Sequence, residues 1–420
     1  MLKSKFKENL SWIFFGNIAH AVLSFFINII IGNILSKEDY GLINYASSII
    51  MLFECFATLG TNNVISKFFT DNDEKNRLYI KNALLMRIIS SVITIITLFV
   101  IIMFVEQFDF KIILIFLLQS FTMVFSICDI LVYWFRFKDK SNIVAIARLV
   151  AFAICSIFKI LSVVVFKNLF LFALSLSLES LCLLLILLLI YRRNNKFKTN
   201  ISKDIIKEIF KYSRPFIISS MMISIYAQTD KFMIEKMIGL EEVANYSIAL
   251  TIAGIVSVLA SAIIEGFRTE IFKMATIDKE NSYRRLRQLY CIIFWICILY
   301  GVFITLLSKQ ILTILYGDKY INVSNILSLI VWNTSFSYFG SINNMFMVLE
   351  NKQKYVQIST LFGAILNLIL NIFFIKLFGT FGAALASLLT QFFANFVFLA
   401  IIKDLRIIFK NIVKGIIFKF

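Results

Sequence analysis

The sequence predicts an all-α integral membrane protein, and both its composition and its hydropathy pattern support that prediction. Of the 420 residues, 60% are hydrophobic and 16% are charged, and the mean hydropathy is +0.87. A soluble domain is about 45–50% apolar and about 25% charged. The apolar residues form continuous runs rather than alternating with a period of two, which excludes a transmembrane β-barrel. The chain is therefore expected to span a bilayer with helices.

Twelve apolar runs predict twelve transmembrane helices, because a helix needs about 20 residues to cross the hydrocarbon core. The runs cover residues 10–34, 41–62, 83–105, 112–134, 143–166, 168–191, 213–235, 243–265, 288–308, 322–349, 355–376 and 380–402. Pro215, the only proline, stands at the head of the seventh run, where its missing N–H removes no helical hydrogen bond.

A polar, basic segment near the midpoint divides these runs into two blocks of six. We predict an N-terminal six-helix bundle over 1–191, a basic cytoplasmic linker over 192–212, a C-terminal six-helix bundle over 213–402 and a basic cytoplasmic tail over 403–420. An even number of spans makes both halves enter the membrane in the same direction. The halves also share a weak similarity between GNILSKEDYGLINYASS and EKMIGLEEVANYSIALT, which indicates a parallel pseudo-repeat around a central cavity.

Lysine and arginine residues set the orientation of the chain. With both termini in the cytoplasm, 31 of the 42 basic residues fall inside, seven fall outside and four fall within spans. The formal net charge of +17 is thereby explained as membrane topology. We therefore expect membrane lipids, and no nucleic acid, as partners of the basic loops.

Two basic residues of the fifth run are the most informative charges within the spans. Arg148 and Lys159 are eleven residues apart, so helix geometry places them within about 20° of each other and about 16 Å apart along the axis. Charges in a bilayer are costly and usually face a protein interior or a wet cavity. We expect a cationic ladder along a cavity, and the alternative is that both side chains snorkel to opposite interfaces.

Acidic residues in the spans form a second group. Glu54, Asp129 and Glu179 lie mid-span, and Asp230 lies on a polar stripe of the seventh run. They are expected to counter the cations or to titrate for ion coupling, and purely structural ion pairs are an equal alternative. Helix–helix hydrogen bonding would explain any single polar stripe, whereas stripes on runs 1, 2, 7 and 8 favour a common wet cleft.

The remaining candidates lie on the first, third and seventh runs. Asn17 and Asn28 share one face of the first run, and Arg87 and Lys231 lie near run ends, where snorkelling is the alternative. The candidate substrate-binding residues are Arg148, Lys159, Asn17, Asn28, Arg87 and Lys231. The candidate ion-coupling or counter-charge residues are Glu54, Asp129, Glu179 and Asp230.

The sequence contains no recognisable motif for binding a metal, a cofactor or a nucleotide. His20 is the only histidine, and the six cysteines lie in apolar runs without a CxxC pair. We expect no catalytic residue, no metal site and no cofactor. The sequence contains no P-loop, so ATP hydrolysis by this chain is not expected.

The polar residues nevertheless favour one class of ligand. A cavity with cations along one wall suits an amphipathic anion, because Lys and Arg bind phosphate and pyrophosphate groups, the arginine in a bidentate manner. A lateral opening would leave a lipid tail in the hydrocarbon. The sequence therefore favours a lipid with a phosphate or pyrophosphate head group as the substrate.

Four stretches of the chain carry a family resemblance. They are SKEDYGLINYA, YSRPF followed by QTDKFMIEKMIGLEEVANYSIA, LYGDKY, and FGTFGAALASLLTQ. With the twelve runs and the basic linker, they resemble the Wzx-type polysaccharide repeat-unit flippases (O-antigen and capsule) of the multidrug/oligosaccharidyl-lipid/polysaccharide exporter superfamily. In the last stretch, Gly379 and Gly382 are expected to permit a tight turn into a closely packed helix.

The resemblance implies a function. Such proteins move undecaprenyl-pyrophosphate-linked oligosaccharides from the inner to the outer leaflet of the bacterial cytoplasmic membrane by alternating access. It also implies that cations in the central lumen contact the pyrophosphate or acidic sugars, and helix geometry places Arg148 and Lys159 there. Glycosyltransferases and a glycan polymerase are implied as partners.

Two other functions remain as alternatives. The first is a cation-coupled multidrug exporter of the same superfamily. The second, which is less favoured, is a membrane glycosyltransferase or polymerase, because no predicted outside loop exceeds about 15 residues. The segment Asp71-Asn72-Asp73 mimics a DxD metal site, but no nucleotide-binding domain surrounds it.

Overall fold

Helices make up every regular element in the part of the chain that the structure describes. The structure is a computed structural model that describes residues 2–194 and 201–418. Residues 195–200 of the predicted linker and residues 419–420 of the predicted tail lie outside the described residues. By its internal contacts the chain divides into two compact units, Met1–Gln228 and Thr229–Phe420.

The N-terminal unit contains seven helices and most of an eighth. Their bounds are α1 (Leu2–Ile34), α2 (Lys37–Thr58), α3 (Asp73–Val105), α4 (Phe110–Phe125), α5 (Cys128–Phe137), α6 (Ser141–Val164), α7 (Leu169–Asn194) and α8 (Lys203–Met237). Side chains of Ser36, Asn72 and Asp109 accept hydrogen bonds from backbone N–H groups in the first turns of α2, α3 and α4, which fixes where these helices begin.

The C-terminal unit contains the end of α8 and seven further helices. Their bounds are α9 (Leu240–Ala253), α10 (Val256–Ala275), α11 (Lys279–Tyr316), α12 (Ser324–Leu349), α13 (Lys354–Phe392), α14 (Phe398–Ile401) and α15 (Arg406–Ile416). A turn of π-helix over Phe393–Val397 connects α13 to α14.

Each of the twelve predicted runs is occupied by helix in the described part of the chain. Eight helical segments there are long and apolar enough to cross a membrane, or nine if the bent pair α9–α10 is one span. Two of these segments cover more than one predicted run: 279–349 contains α11 and α12, and 354–401 contains α13, which is kinked at Gly379, and α14. The seventh run lies in α8, which is too polar to count among the eight because it carries Asp230, Lys231 and Glu235. The prediction of an all-α membrane protein is confirmed.

The turn before the twelfth predicted run depends on two glycines, as expected. Gly379 breaks α13 with φ of 60° and ψ of −142°, a backbone conformation that L-residues rarely adopt. At Gly382, an added Cβ would lie 1.9 Å from the carbonyl oxygen of Phe374, so only glycine permits this approach. The predicted tight turn into a closely packed helix is confirmed.

Each unit has its own hydrophobic core. In the N-terminal unit, Ile80 of α3, Leu131 of α5, Leu187 of α7 and Ile209 of α8 are fully buried in one cluster. Ile209 belongs to a stretch predicted as linker, so the first turns of α8 pack as part of this unit. In the C-terminal unit, Ile412 of α15 joins the core formed by α10, α11 and α12.

Candidate substrate cavity in the N-terminal unit

A polar cavity of about 260 Å³ lies within the N-terminal unit. It is lined by side chains of α1, α2, α4, α5, α6 and α7. Its ionisable lining residues are His20, Glu54, Asp129, Arg148 and Glu179. Four of these five are predicted site residues, so the fold brings together positions that lie as far as 159 residues apart in the sequence.

A break in the fourth span forms one wall of this cavity. Between α4 and α5, the N–H groups of Ile127 and Asp129 donate to carbonyls three residues back instead of four. Ser126, Cys128 and Asp129 line the cavity at this point. The Ser126 carbonyl accepts a hydrogen bond from Nη1 of Arg87 at 3.3 Å. Irregular backbone at membrane depth is tolerated where a side chain or a cavity satisfies the freed polar groups.

Arg148 is the cation that lines the cavity directly. Its Nη1 donates to Oδ1 of Asn17 at 3.3 Å, so two predicted substrate-binding residues meet at this point. A guanidinium has five N–H groups, and this is the one hydrogen bond that Arg148 makes to a described side chain. Arg148 therefore keeps donors available for a ligand. Asn17 and Arg148 also border a smaller recess together with Arg136.

Lys159 is held in an ion pair beside the cavity. Its Nζ lies 2.5 Å from Oε2 of Glu179, and only 9% of the Lys159 side chain is exposed. The other carboxylate oxygen, Oε1, lies 3.1 Å from Nε2 of His20. The sequence analysis expects Lys159 on a cationic ladder with the acids of the spans as possible counter-charges, and the structure shows Glu179 as its partner.

Arg87 forms the third charged group. It is 1% exposed, and its Nη2 lies 3.9 Å from Oδ2 of Asp129. The snorkelling alternative does not fit Arg87, because its guanidinium is buried within the unit beside Asp129 and the Ser126 carbonyl. Glu54 completes this side of the cavity from α2.

The cavity and its immediate wall are balanced in formal charge. Around it lie three acids and three bases among the described residues: Glu54, Asp129, Glu179, Arg87, Arg148 and Lys159. With a neutral His20 the sum is zero. The pairs Arg87–Asp129 and Lys159–Glu179 lower the cost of keeping these charges away from water.

Asp230 lies in a separate cluster within the C-terminal unit. It is 7% exposed and accepts hydrogen bonds from the Tyr246 hydroxyl at 2.5 Å, from Nδ2 of Asn371 at 2.7 Å and from the Ser387 hydroxyl. Asn367 bonds to both Asn371 and Ser387. This cluster joins α8, α9 and α13.

The structure does not bring all the candidate residues together. Lys231 follows Asp230 on α8 and belongs to the C-terminal unit, and Asn28 lies on α1 but is not one of the residues that line the cavity. His20, Tyr246 and Ser387 are contacts that the candidate set omits. His20 lies on the same stretch of α1 as Asn17, and Tyr246 lies within the second repeat segment, so both had a signal in the sequence.

Similarity to known proteins supports the class suggested by this fold and cavity. The family model described as "Polysaccharide biosynthesis protein" matches residues 6–267, and the model described as "MatE" matches residues 215–373. The chain is 23% identical to the capsular polysaccharide biosynthesis protein CapF of Staphylococcus aureus over 400 residues, which is 92% of this chain and 96% of CapF.

Two solved structures have a similar fold. One is the lipid II flippase MurJ in an inward closed conformation, with a TM-score of 0.72 and 15% identity over 96% of this chain and 90% of that chain. The other is an inward-facing multidrug resistance MATE family transporter, with a TM-score of 0.69 and 13% identity over 94% of this chain and 96% of that chain.

The helices and the structural similarities together define a multi-pass integral membrane protein with the fold seen in MurJ and in MATE family transporters. Because the first family model covers more than half of the sequence, the chain belongs to the polysaccharide biosynthesis protein family.

Proposed function

We propose that this protein is a flippase that moves undecaprenyl-pyrophosphate-linked oligosaccharide repeat units from the inner to the outer leaflet of a bacterial cytoplasmic membrane. The observation that carries this proposal is Arg148, a cation with available donors that faces a polar cavity inside a transporter fold. The family match and the similarity to CapF support a role in surface polysaccharide synthesis. The likeness to MurJ supports a fold that suits a lipid-linked cargo.

The chemistry of Arg148 suits the head group of such a lipid. A guanidinium binds phosphate oxygens through two parallel N–H bonds, and Asn17 holds the guanidinium from one side. The cavity of about 260 Å³ is smaller than the roughly 300–1,000 Å³ of pockets that enclose drug-sized molecules. It therefore suits the pyrophosphate end of the substrate and leaves the sugars outside it.

The ion pairs of this unit give a reason why the cavity can exist without a bound anion. Lys159 is neutralised by Glu179, and Arg87 lies near Asp129. When an anionic head group binds, it competes with these carboxylates for the same cations. We propose that Glu54, Asp129 and Glu179 act as counter-charges that occupy the cations in the empty state, and that Asp230 serves the same purpose or ion coupling in the C-terminal unit.

Transport by alternating access, with both termini in the cytoplasm, completes the proposal. The chain would receive its substrate from glycosyltransferases and deliver it to a glycan polymerase. Moving one charge through about 100 mV is worth about 2.3 kcal/mol, so the charge of the head group couples transport to the membrane potential.

The test replaces Arg148 in the native cell and measures surface polysaccharide. We expect Arg148→Ala to abolish most export, because the cavity loses its available phosphate donors, and Arg148→Lys to retain part of it, because a lysine keeps the charge but not the bidentate geometry. Lys309→Ala, which removes an exposed cation on α11, is the matched control and should export normally. Normal surface polysaccharide in the Arg148→Ala cells, with protein present at the usual level, would contradict the proposal.

A second candidate is a cation-coupled multidrug exporter, which the match of residues 215–373 to the MatE model favours. Expression in a drug-sensitive host distinguishes the two. A resistance profile that disappears in Arg148→Ala cells, without any change in surface glycan, would favour the exporter.

A further inference from the structure

The single histidine of the chain occupies a site that the proposed function does not use. His20 on α1 shares the Glu179 carboxylate with Lys159, at 3.1 Å and 2.5 Å respectively. Three helices, α1, α6 and α7, therefore meet at one carboxylate. His20 and Glu179 line the cavity, and their side chains are 31% and 23% exposed, so both can be reached from it.

The surroundings fix the orientation of the imidazole. The imidazole ring packs edge-to-face on the phenyl ring of Phe152, with ring centroids 4.5 Å apart. The Lys159 ammonium lies 5.6 Å from the centre of the Phe152 ring. A carboxylate can only accept a hydrogen bond, so Nε2 carries the proton that it donates to Glu179. A second proton would therefore enter at Nδ1 and convert His20 to a cation.

Protonation of His20 changes the charge of the whole cavity. The charged groups that line the cavity or contact its lining are Glu54 of α2, Arg87 of α3, Asp129 of α5, Arg148 and Lys159 of α6, and Glu179 of α7. These six formal charges cancel, Arg136 of α5 adds one positive charge at the adjoining recess, and a proton on His20 adds another. Glu179 would then bridge two cations, which weakens its hold on Lys159 and favours an additional anion.

We propose that His20 is the proton-binding residue of this cavity, and that its protonation and the binding of a pyrophosphate head group favour each other. The inference rests on the proposed function, since it assumes that a pyrophosphate enters the cavity. An imidazole is the side chain that ordinarily gains or loses a proton between about pH 5 and 8. Linkage is reciprocal, so a proton that strengthens binding of the anion is itself bound more strongly when the anion is present.

Binding measurements on the full-length protein in nanodiscs of uncharged lipid test this inference. Polyprenyl pyrophosphate is titrated between about pH 6 and 8, and inorganic pyrophosphate is titrated in parallel to separate the head group from the lipid. Linkage of one proton changes affinity by at most about tenfold per pH unit. We expect the ratio of wild-type to His20→Gln affinity to fall severalfold as the pH rises, for both ligands.

The two variants are chosen to isolate the charge. In His20→Gln, the glutamine keeps an N–H donor for Glu179 but cannot take up a proton. Because the same ligand is titrated against both proteins, ionisation of the ligand cancels in the ratio of wild-type to variant affinity. Ser24→Ala, one turn further along α1, is the matched control and should keep the wild-type profile. A ratio that does not change with pH would overturn the inference.

The unique histidine allows a second, direct readout on the wild-type protein. When the purification tag contains no histidine, labelling with ¹⁵N-histidine gives ring-nitrogen NMR signals from a single imidazole, that of His20. We expect its titration midpoint to move to higher pH when polyprenyl pyrophosphate is present. A midpoint that stays in place while the ligand binds would overturn the role of His20 alone, whereas failure of the wild-type protein to bind either pyrophosphate at any pH would overturn the proposed function itself.

Discussion

The two units of this protein bury acidic side chains in different ways. In the N-terminal unit, Glu179 and Asp129 lie beside Lys159 and Arg87 around a cavity. In the C-terminal unit, Asp230 accepts hydrogen bonds from three neutral donors, namely Tyr246, Asn371 and Ser387. The first arrangement pairs opposite charges beside a cavity, whereas the second holds a carboxylate through hydrogen bonds from uncharged side chains.

Under the proposed function, the difference indicates where this protein would accept an anionic head group. Opposite charges beside a cavity are already desolvated and oriented, so an incoming anion would replace one partner by another. The Asp230 carboxylate is enclosed by hydroxyl and amide donors, and its electrostatic partner Lys231 is the next residue of the same helix. Four predictions test this contrast, ordered by the size of the expected change in stability.

The largest effect is expected for Lys159→Met. Removal of the ammonium leaves the partly buried Glu179 paired with His20 alone among the described residues. Loss of one member of a buried ion pair lowers the free energy of unfolding by about 3 kcal/mol. Unfolding of the full-length protein by SDS in mixed micelles measures this cost. The double variant Lys159→Met/Glu179→Gln should recover most of it, and a double variant as unstable as the single one would show that the two side chains do not act as a pair.

A smaller effect is expected for Asp230→Ala. The substitution removes the acceptor shared by Tyr246, Asn371 and Ser387, and buried donors left without a partner should lower the free energy of unfolding by about 2 kcal/mol. Asp230→Asn keeps an oxygen in place and should cost about half as much. The same unfolding assay measures both, and equal losses would mean that the charge, rather than the geometry of acceptance, stabilises this cluster.

A third prediction concerns a single donor to that carboxylate. Tyr246→Phe deletes one hydroxyl and keeps the ring, so the expected loss is about 1 kcal/mol, in the upper range for hydrogen bonds between membrane helices. Tyr45→Phe is its counterpart in the N-terminal unit, because the Tyr45 hydroxyl donates to Glu106 at 2.8 Å. A loss at Tyr246 that greatly exceeds the loss at Tyr45 would mean that the Asp230 network is cooperative.

The smallest effect is expected at a carboxylate outside the spanning helices. Partial burial acts to raise the pKa of Glu350, but hydrogen bonds from Tyr283 at 2.6 Å and from Lys279 at 3.2 Å outweigh it and lower the pKa below its ordinary value of 4.5. The stabilisation is therefore complete above that ordinary value and is lost as the pH falls through the lowered one. Thermal unfolding midpoints of wild-type protein and Glu350→Gln should differ at neutral pH and converge in acid, and a constant gap would contradict this assignment.

The sequence predicts the fold better than it predicts the site. Continuous apolar runs identify the spans because the bilayer requires about 20 apolar residues, and Gly379 marks the final turn because few other residues adopt a positive φ. The residue at which α3 begins is harder to predict from hydropathy. Residues 73–82 are polar but helical, so α3 begins ten residues before the apolar run that hydropathy identifies. The burial of Arg87 depends on the helices that pack against α3, which hydropathy does not show.

The partners of the charged residues are harder to predict, because they come from distant parts of the chain. Helix periodicity predicts that Arg148 and Lys159 share one face, yet it contains no information on which acid pairs with Lys159, and that acid is Glu179 on the next helix. The contact between His20 and Glu179 joins residues 159 positions apart. Periodicity shows which residues share a face of one helix, whereas pairing depends on how neighbouring helices rotate and pack.

The small volume of the N-terminal cavity has a consequence for how such transporters diversify. A space of about 260 Å³ accommodates the diphosphate end of a carrier lipid but not a repeat unit of several sugars. Under the proposed function, the feature common to all such cargoes is gripped by one set of residues, while the variable glycan is accommodated elsewhere. Bacterial strains could then change the antigenic structure of their coats by altering other surfaces of the exporter, without rebuilding its head-group pocket.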